Sequence, residues 1–208
     1  MLGVFAHPDD ETFCAGGTLA KYTATGADAM VVSFTKGDAG QIRDAGAASR
    51  RTLGEVRERE LREACRRLGV QNVECLDYGD GKLRDVEPRV LVEQVTRFIR
   101  SYRPDVVFTF GEEGAYGHPD HIAISVATTD ACRIAGDATQ YPEHILQGLT
   151  PHEPALLYHS HFPRSRLLLM EHLATWLESL DKRFRGSLDF VQGLILFAGD
   201  LTTMGFNS

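Results

Sequence analysis

A chain of 208 residues, 43% hydrophobic and 25% charged, is long enough for one sizeable α/β domain and ordinary in composition for a globular protein. Its net charge of −7, with no run of Lys or Arg longer than two, excludes the concentrated basic face of a nucleic-acid binder and points to a small-molecule partner. No apolar stretch is long enough to span a membrane or to serve as a signal peptide, and Cys14, Cys65, Cys75 and Cys132 are scattered without a CxxC pair, as expected of reduced thiols in a cytoplasmic protein.

Taken in chain order, Leu2–Phe5 is an apolar run of strand length, followed by a polar loop and a helix over residues 13–25. Residues 30–34, rich in Val, form a second strand. Residues 35–49 are dense in Gly, Ala and Asp and form a loop; within it, residues 37–48 are small and aperiodic, which suits a mobile lid. Residues 51–68 are the clearest helix, with Leu53, Val56, Leu61, Ala64, Cys65 and Leu68 approximating an apolar stripe among charges. Gly69 follows as a C-terminal cap. A strand over 73–76 and a helix over Pro88–Tyr102, with Pro near its start, come next.

Residues 105–110 (DVVFTF) read as a buried strand, 111–117 as a polar loop, and a helix begins near Pro119 and runs to Ile134. Residues 155–158 complete the strands. Alternation of this kind predicts a Rossmann-like three-layer α/β fold, a mostly parallel central sheet covered by helices on both faces, in a single domain over residues 1–208. Ligands of such sheets bind beyond the carboxyl ends of the strands. Residues 164–185 look helical, with Trp176 among Leu173, Leu177 and Leu180 expected in the core or at an interface; residues 194–197 lead into no obvious closing element.

The chemistry is concentrated after two of the strands. Ala6-His7-Pro8-Asp9-Asp10-Glu11 follows the first, and Tyr116-Gly117-His118-Pro119-Asp120-His121 follows the strand ending at Phe110. Each sets ionisable groups three residues apart, His7/Asp10 and His118/His121, around a stiffening Pro. Two imidazoles and a carboxylate make a three-ligand set for a divalent metal, with positions left open for water and substrate. A hydrolase also needs an unligated base, which the doubled Asp9-Asp10 can supply, and donors for the oxyanion and the leaving amine, for which His118, Asp120 and Tyr116 are available. Either segment alone could be a turn, or an acidic helix start placed to suit the dipole. Both together, each in a loop after a buried strand, are hard to explain as turns.

The pair AHPDDE and GHPDH resembles the signatures of the PIG-L/LmbE-like deacetylases, the family of the mycothiol, bacillithiol and glycosylphosphatidylinositol deacetylases. The likeness runs from Val4 to about Tyr158. It implies that His7, Asp10 and His121 bind zinc, with iron as the alternative, and that Asp9 is the general base. It further implies that His118, held by Asp120, stabilises the oxyanion or protonates the leaving nitrogen, with Tyr116 assisting. Val56-Arg57-Glu58-Arg59-Glu60-Leu61 resembles the stretch whose Arg contacts sugar hydroxyls, making Arg57 a candidate against the plainer reading of a solvated helix face. Asp85 occupies a position similar to a sugar-binding Asp, with Asp80 as a rival. Members usually continue through another strand and a closing helix; none precedes Ser208, so this member is short or the chain is truncated.

The expected partner is therefore an N-acylated sugar or a thiol conjugate, with a homo-oligomer compatible with the sequence. The expected reaction is deacetylation of an N-acetylglucosaminyl compound, the alternative being amidase action on a longer amide such as a thiol S-conjugate. Two His and a carboxylate also serve non-haem iron oxygenases, but those are β-rich and lack a spare Asp for activating water. A non-catalytic metal-binding module would be expected to have lost the base or a ligand. Cys14 behind the first motif is expected to be a small packed residue. His144, His152 and His172 are expected to face solvent, and one of His159 and His161, after the last strand, could reach the pocket mouth.

Overall fold

The computed structural model describes residues 1–42 and 46–161, together with Leu169, His172, Leu173, Thr175, Trp176 and Ser179. Five strands, β1 (Leu2–Phe5), β2 (Met30–Thr35), β3 (Asn72–Tyr78), β4 (Val106–Phe110) and β5 (Leu156–Ser160), form one sheet in the order β3-β2-β1-β4-β5. All four neighbouring pairs are parallel, and the α/β architecture is the one the alternating pattern predicts. Every residue of β1 and β2 is buried, as unbroken apolar runs covered on both faces must be. The outermost strands, β3 and β5, are partly exposed.

The helices are α1 (Asp10–Thr23), α2 (Leu53–Arg67), α3 (Pro88–Tyr102), a single turn α4 (Gly114–Gly117), α5 (Pro119–Ile134) and a short α6 (Pro142–Leu146). Helix α1 packs on α2, and α3 on α5. Right-handed crossovers toward β3 place the first pair on one face, and crossovers toward β5 place the second on the other. Leu53, Leu61 and Cys65 are the buried stripe of α2. Its end is a Schellman motif: Gly69, at φ 76°, donates to Arg66 O and Val70 donates to Cys65 O.

Several boundaries move. Helix α1 starts at Asp10, three residues before the apolar pattern begins, because Asp10 and Glu11 are helical without being amphipathic. Strand β3 runs past both ends of the expected 73–76, since an edge strand carrying Glu74 and Asp77 has too little apolar signal to mark its limits. His159 and Ser160 belong to β5 itself rather than to a following loop.

His144 is a correction: it is fully buried, with Arg100 Nη1 donating to its Nδ1 at 3.3 Å and its Nε2 lying 2.6 Å from Glu93 Oε1. An isolated His in a polar stretch gives no sign of such partners. Trp176 is 58% exposed, which leaves the interface side of its expected placement. Most of the expected helix over 164–185, and all of 194–197, lie outside the described residues; the six described residues of the former are helical, His172 among them and exposed.

Candidate metal centre

Strand order reverses between β1 and β4: successive strands β2 and β3 lie to one side, β4 and β5 to the other. A crevice opens beyond the carboxyl ends of strands at such a reversal. The two His-Pro-Asp segments leave β1 and β4 there.

His121 lies on the first turn of α5 and is 1% exposed. Its ring stacks on Phe110, centroids 4.0 Å apart and planes within 4°, and Phe110 is braced edge-on by Phe5. Nδ1 of His121 donates to Gly114 O at 3.2 Å, which leaves the Nε2 lone pair free. His7 is arranged in mirror fashion. Its Nε2 faces Asp80 Oδ1 at 3.1 Å and Asp120 Oδ2 at 3.3 Å, so Nδ1 is the free nitrogen. Fixing the tautomer of a ligating His through its other nitrogen is the usual arrangement in metal sites.

The two free nitrogens are 3.1 Å apart. Asp10, whose Oδ2 also accepts the His7 backbone N–H at 2.8 Å, lies 3.5 Å from His7 Nδ1 and 3.4 Å from His121 Nε2. A tetrahedral ion with bonds of about 2.0–2.1 Å needs ligand atoms about 3.3 Å apart. The three expected ligands are brought together at that spacing. Two further groups among the described residues have metal-ligating spacing, His7/His118/His121 and His7/Asp80/Asp120. Hydrogen bonding disfavours both as first choice: Nδ1 of His118 is occupied by a backbone amide, and Asp80 and Asp120 face the protonated side of His7.

The electrostatics favour a cation. Burial lowers the His7 pKa, but hydrogen bonds to the carboxylates of Asp10, Asp120 and Asp80 outweigh it and raise it to about 11. Burial lowers His121 to about 4, with the neighbouring His7 and His118 adding to it against Asp10. A proton is thus held where three carboxylates converge, and a metal ion can take its place.

Asp9 sits beside the centre with a half-exposed carboxylate. Its backbone is at φ 113°, a conformation that costs a non-Gly residue about 1–3 kcal/mol. Two neighbours hold it there. Buried Glu11 accepts the Asp9 N–H at 2.9 Å, and Arg57 donates to Asp9 Oδ2 at 2.8 Å and to Pro8 O. Burial first, and Asp10 second, push the Asp9 pKa up to about 6 against the pull of Arg57. Arg57 also donates to Gly37 O at 3.0 Å, so it reaches the centre as a clamp on the first motif.

His118 is the N-cap of α5, its Nδ1 accepting Asp120 N–H at 3.2 Å. Asp120 meets His118 through its backbone amide, while its carboxylate faces His7 instead. Asp120, fully buried, accepts from Gly81 N at 2.7 Å and Leu83 N at 3.0 Å while facing His7. Position 120 is the second helical residue, whose amide lacks a helical partner, so the amide rather than the side chain meets the cap. An imidazole accepting at Nδ1 is neutral with its proton on Nε2. Burial, then His7, lowers its pKa. The Tyr116 ring stands edge-on to His121, centroids 5.1 Å apart, its hydroxyl pKa raised by burial and then by Asp10 and Asp9.

Asp85 is not brought to the cluster. Its side chain is 67% exposed and lies 3.6 Å from Arg84, because Leu83–Asp85 forms a short 3-10 turn that buries Leu83 and turns Asp85 outward. Its rival Asp80 takes the inner position. His159 Nδ1 donates to Phe110 O, and His161 pairs with Glu113; neither is among the groups around His7. The Cys14 thiol is pushed up to about 12 by burial, which suits a packed residue. Sequence reasoning missed Glu11 as the brace of Asp9. A Glu at the second helical position was the available signal, masked by its plausibility as a plain dipole charge.

The PIG-L family, described as GlcNAc-PI de-N-acetylase, matches residues 2–132. Over 167 residues the chain is 39% identical to a 1D-myo-inositol 2-acetamido-2-deoxy-alpha-D-glucopyranoside deacetylase of Rhodococcus jostii (strain RHA1), covering 69% of this chain and 56% of that protein. A mycothiol S-conjugate amidase of Streptomyces coelicolor is 34% identical over 191 residues, 83% of this chain and 64% of that protein. The chain thus spans well under two thirds to just under two thirds of these relatives' lengths. An N,N'-diacetylchitobiose deacetylase from Pyrococcus horikoshii has the same fold, with a TM-score of 0.68 at 24% identity over 98% of this chain and 79% of that one.

Proposed function

Since the chain belongs to the PIG-L family, we propose that it is a metal-dependent hydrolase that removes the acetyl group of an N-acetylglucosaminyl-type substrate by attack of an activated water. The carrying observation is the convergence of His7 Nδ1, His121 Nε2 and the Asp10 carboxylate at 3.1–3.5 Å beside the half-exposed Asp9. His7, Asp10 and His121 are the residues that would hold the ion, zinc or alternatively iron. Such an ion supplies Lewis-acid polarisation of the amide carbonyl and a water of lowered pKa.

The remaining work falls to the chain's own groups. Asp9, with its carboxyl near neutrality, accepts the proton of the attacking water and returns it to the leaving nitrogen. His118 presents Nε2–H to the developing oxyanion, and neutrality suits it to donate a hydrogen bond without giving up the proton. Tyr116 assists as a second neutral donor. Asp120 positions His7 rather than His118. Arg57 keeps Asp9 aimed through its bonds to Asp9 and Pro8 O. No described helix is long and apolar enough to cross a membrane; with the scattered free cysteines, this supports a cytoplasmic enzyme acting on a small molecule.

A second reading, cleavage of a longer amide in a thiol S-conjugate, is favoured by the likeness to the Streptomyces coelicolor amidase. Free-amine release from a panel of N-acetylglucosamine derivatives and S-conjugates tests both. The expected result is release from the acetylated sugars that chelation abolishes and added zinc or iron restores. Release from the S-conjugates alone would move the assignment to the second reading. A folded protein that takes up no metal would end both.

A further inference from the structure

The carboxylate that joins the centre to the loop above it is Asp80. It sits in the Gly79-Asp80-Gly81 turn after β3, its side chain only 10% exposed. Oδ1 faces His7 Nε2 at 3.1 Å, and Oδ2 accepts the backbone N–H of Ala39 at 2.8 Å. Ala39 belongs to the segment 37–40, whose carbonyls are held from the other side by arginines. Arg57 donates to Gly37 O, and Arg50 donates to Asp38 O at 2.7 Å and Gly40 O at 3.0 Å. At Gly37, φ 63°, a Cβ would fall 2.1 Å from the Arg57 guanidinium, so segment and clamp are in close contact.

From this geometry we infer that Asp80 is a positioning residue, coupling the order of the 37–40 segment to occupancy of the metal centre through His7. The inference rests on the proposed metal site. A cation on Nδ1 of His7 leaves Nε2–H as an obligate donor and fixes the ring plane, which steadies Asp80 and with it Ala39. The coupling is reciprocal by linkage: ordering the segment favours the metal as much as the metal favours the ordered segment. Asp120 Oδ2 shares the same His7 nitrogen at 3.3 Å, but its other bonds go to Gly81 and Leu83 and no described contact runs from it to the segment, so the link from His7 to Ala39 is made by Asp80. The segment is joined to Asp9 as well, through Arg57, so a loop that closes on a substrate would act on base and ligand together.

The test uses the full chain with Zn2+ as probe, measuring affinity by chelator competition and amide hydrogen exchange at Ala39 with and without the ion. In the wild type, Zn2+ should slow Ala39 exchange several-fold. Asp80→Ala should weaken Zn2+ binding about 10–100-fold and leave Ala39 fast whether or not metal is present. Asp80→Asn can still accept from Ala39 but opposes an N–H to that of His7. It should keep the metal-free exchange rate, lose the slowing by Zn2+, and weaken binding like Asp80→Ala. Wild-type affinity in both variants, or an unchanged Zn2+ effect on Ala39, would overturn the inference while leaving the metal site intact. A folded wild type that binds no Zn2+ would instead overturn the metal site, and the inference with it.

Discussion

Replacing Asp9 separates its backbone from its carboxylate. At φ 113° any residue with a Cβ carries about 1–3 kcal/mol of strain, whereas glycine carries none and adds only about 0.5–1 kcal/mol of chain entropy. Both Asp9→Ala and Asp9→Gly lose the ion pair with Arg57, which at side-chain exposures of 53% and 19% contributes about 0–1 kcal/mol and cancels between them. Asp9→Gly is therefore expected to be more stable than Asp9→Ala by about 1–2 kcal/mol, a melting-temperature gap of about 2–8 °C at about 2–4 °C per kcal/mol for a chain of this size. Asp9→Asn, isosteric and tolerant of positive φ, should melt near the wild type and bind one metal ion. All three should lose about 100-fold or more in amine release, the usual contribution of a general base. Calorimetry on the metal-loaded proteins and the amine assay measure the two halves independently. An Asp9→Gly protein less stable than Asp9→Ala would refute the strain, and Asp9→Asn within tenfold of wild-type activity would remove Asp9 as the base.

Arg57→Lys keeps the charge but lacks the planar fork that reaches Asp9, Pro8 O and Gly37 O together; we expect kcat/KM to fall about tenfold with metal stoichiometry unchanged, and a normal rate would show that Asp9 needs no aiming. Burial raises the Glu93 carboxyl, yet hydrogen bonds from His144 and Arg97 outweigh it and hold it below its ordinary 4.5. A depressed folded-state value contributes stability above the unfolded value that disappears as pH falls through the folded one. Urea midpoints should thus drop below pH 4.5 in the wild type and less steeply in Glu93→Gln; parallel curves would show that the pair contributes nothing. Phe110→Ala removes the ring on which His121 lies and should cost about 3–5 kcal/mol together with a measurable loss of Zn2+ affinity; destabilisation without that loss would mean the stack serves packing alone.

What was legible in the sequence follows from what each signal encodes. Strands β1, β2 and β4 announce themselves because burial on both faces demands unbroken apolar runs, and the proposed ligand trio stands out because few residue types can bind a metal. The braces are harder. Glu11, Asp80 and Asp120 are acidic residues in polar loops or helix starts, where composition is the same whether a carboxylate is solvated or buried against a histidine. Asp85 looked as good as Asp80 because the difference between them is a 3-10 turn that short sequence spacing does not specify. His144 is a similar case, its partners Glu93 and Arg100 lying 51 and 44 residues away.

The two His-Pro-Asp segments show how the same tripeptide takes opposite roles. What differs is the phase of the helix that follows. In the first, the helix begins after Asp9, which is its N-cap, and the proposed ligand Asp10 is the first helical residue. In the second, the helix begins one residue after the His, so His118 is itself the N-cap and the proposed ligand His121 lies on the third helical residue. Moving the helix start by two residues along the motif exchanges the parts: the cap position carries the group offered to substrate, Asp9 in one case and His118 in the other. The ligands come from the first helical turn and, at His7, from the loop before it. An N-cap residue has its backbone fixed by the first turn: the Asp9 carboxylate makes no cap bond, and His118 spends Nδ1 on the cap and keeps Nε2 outward. That gives both groups a defined position, and it accounts for the proposed base and oxyanion donor arising at equivalent places on α1 and α5.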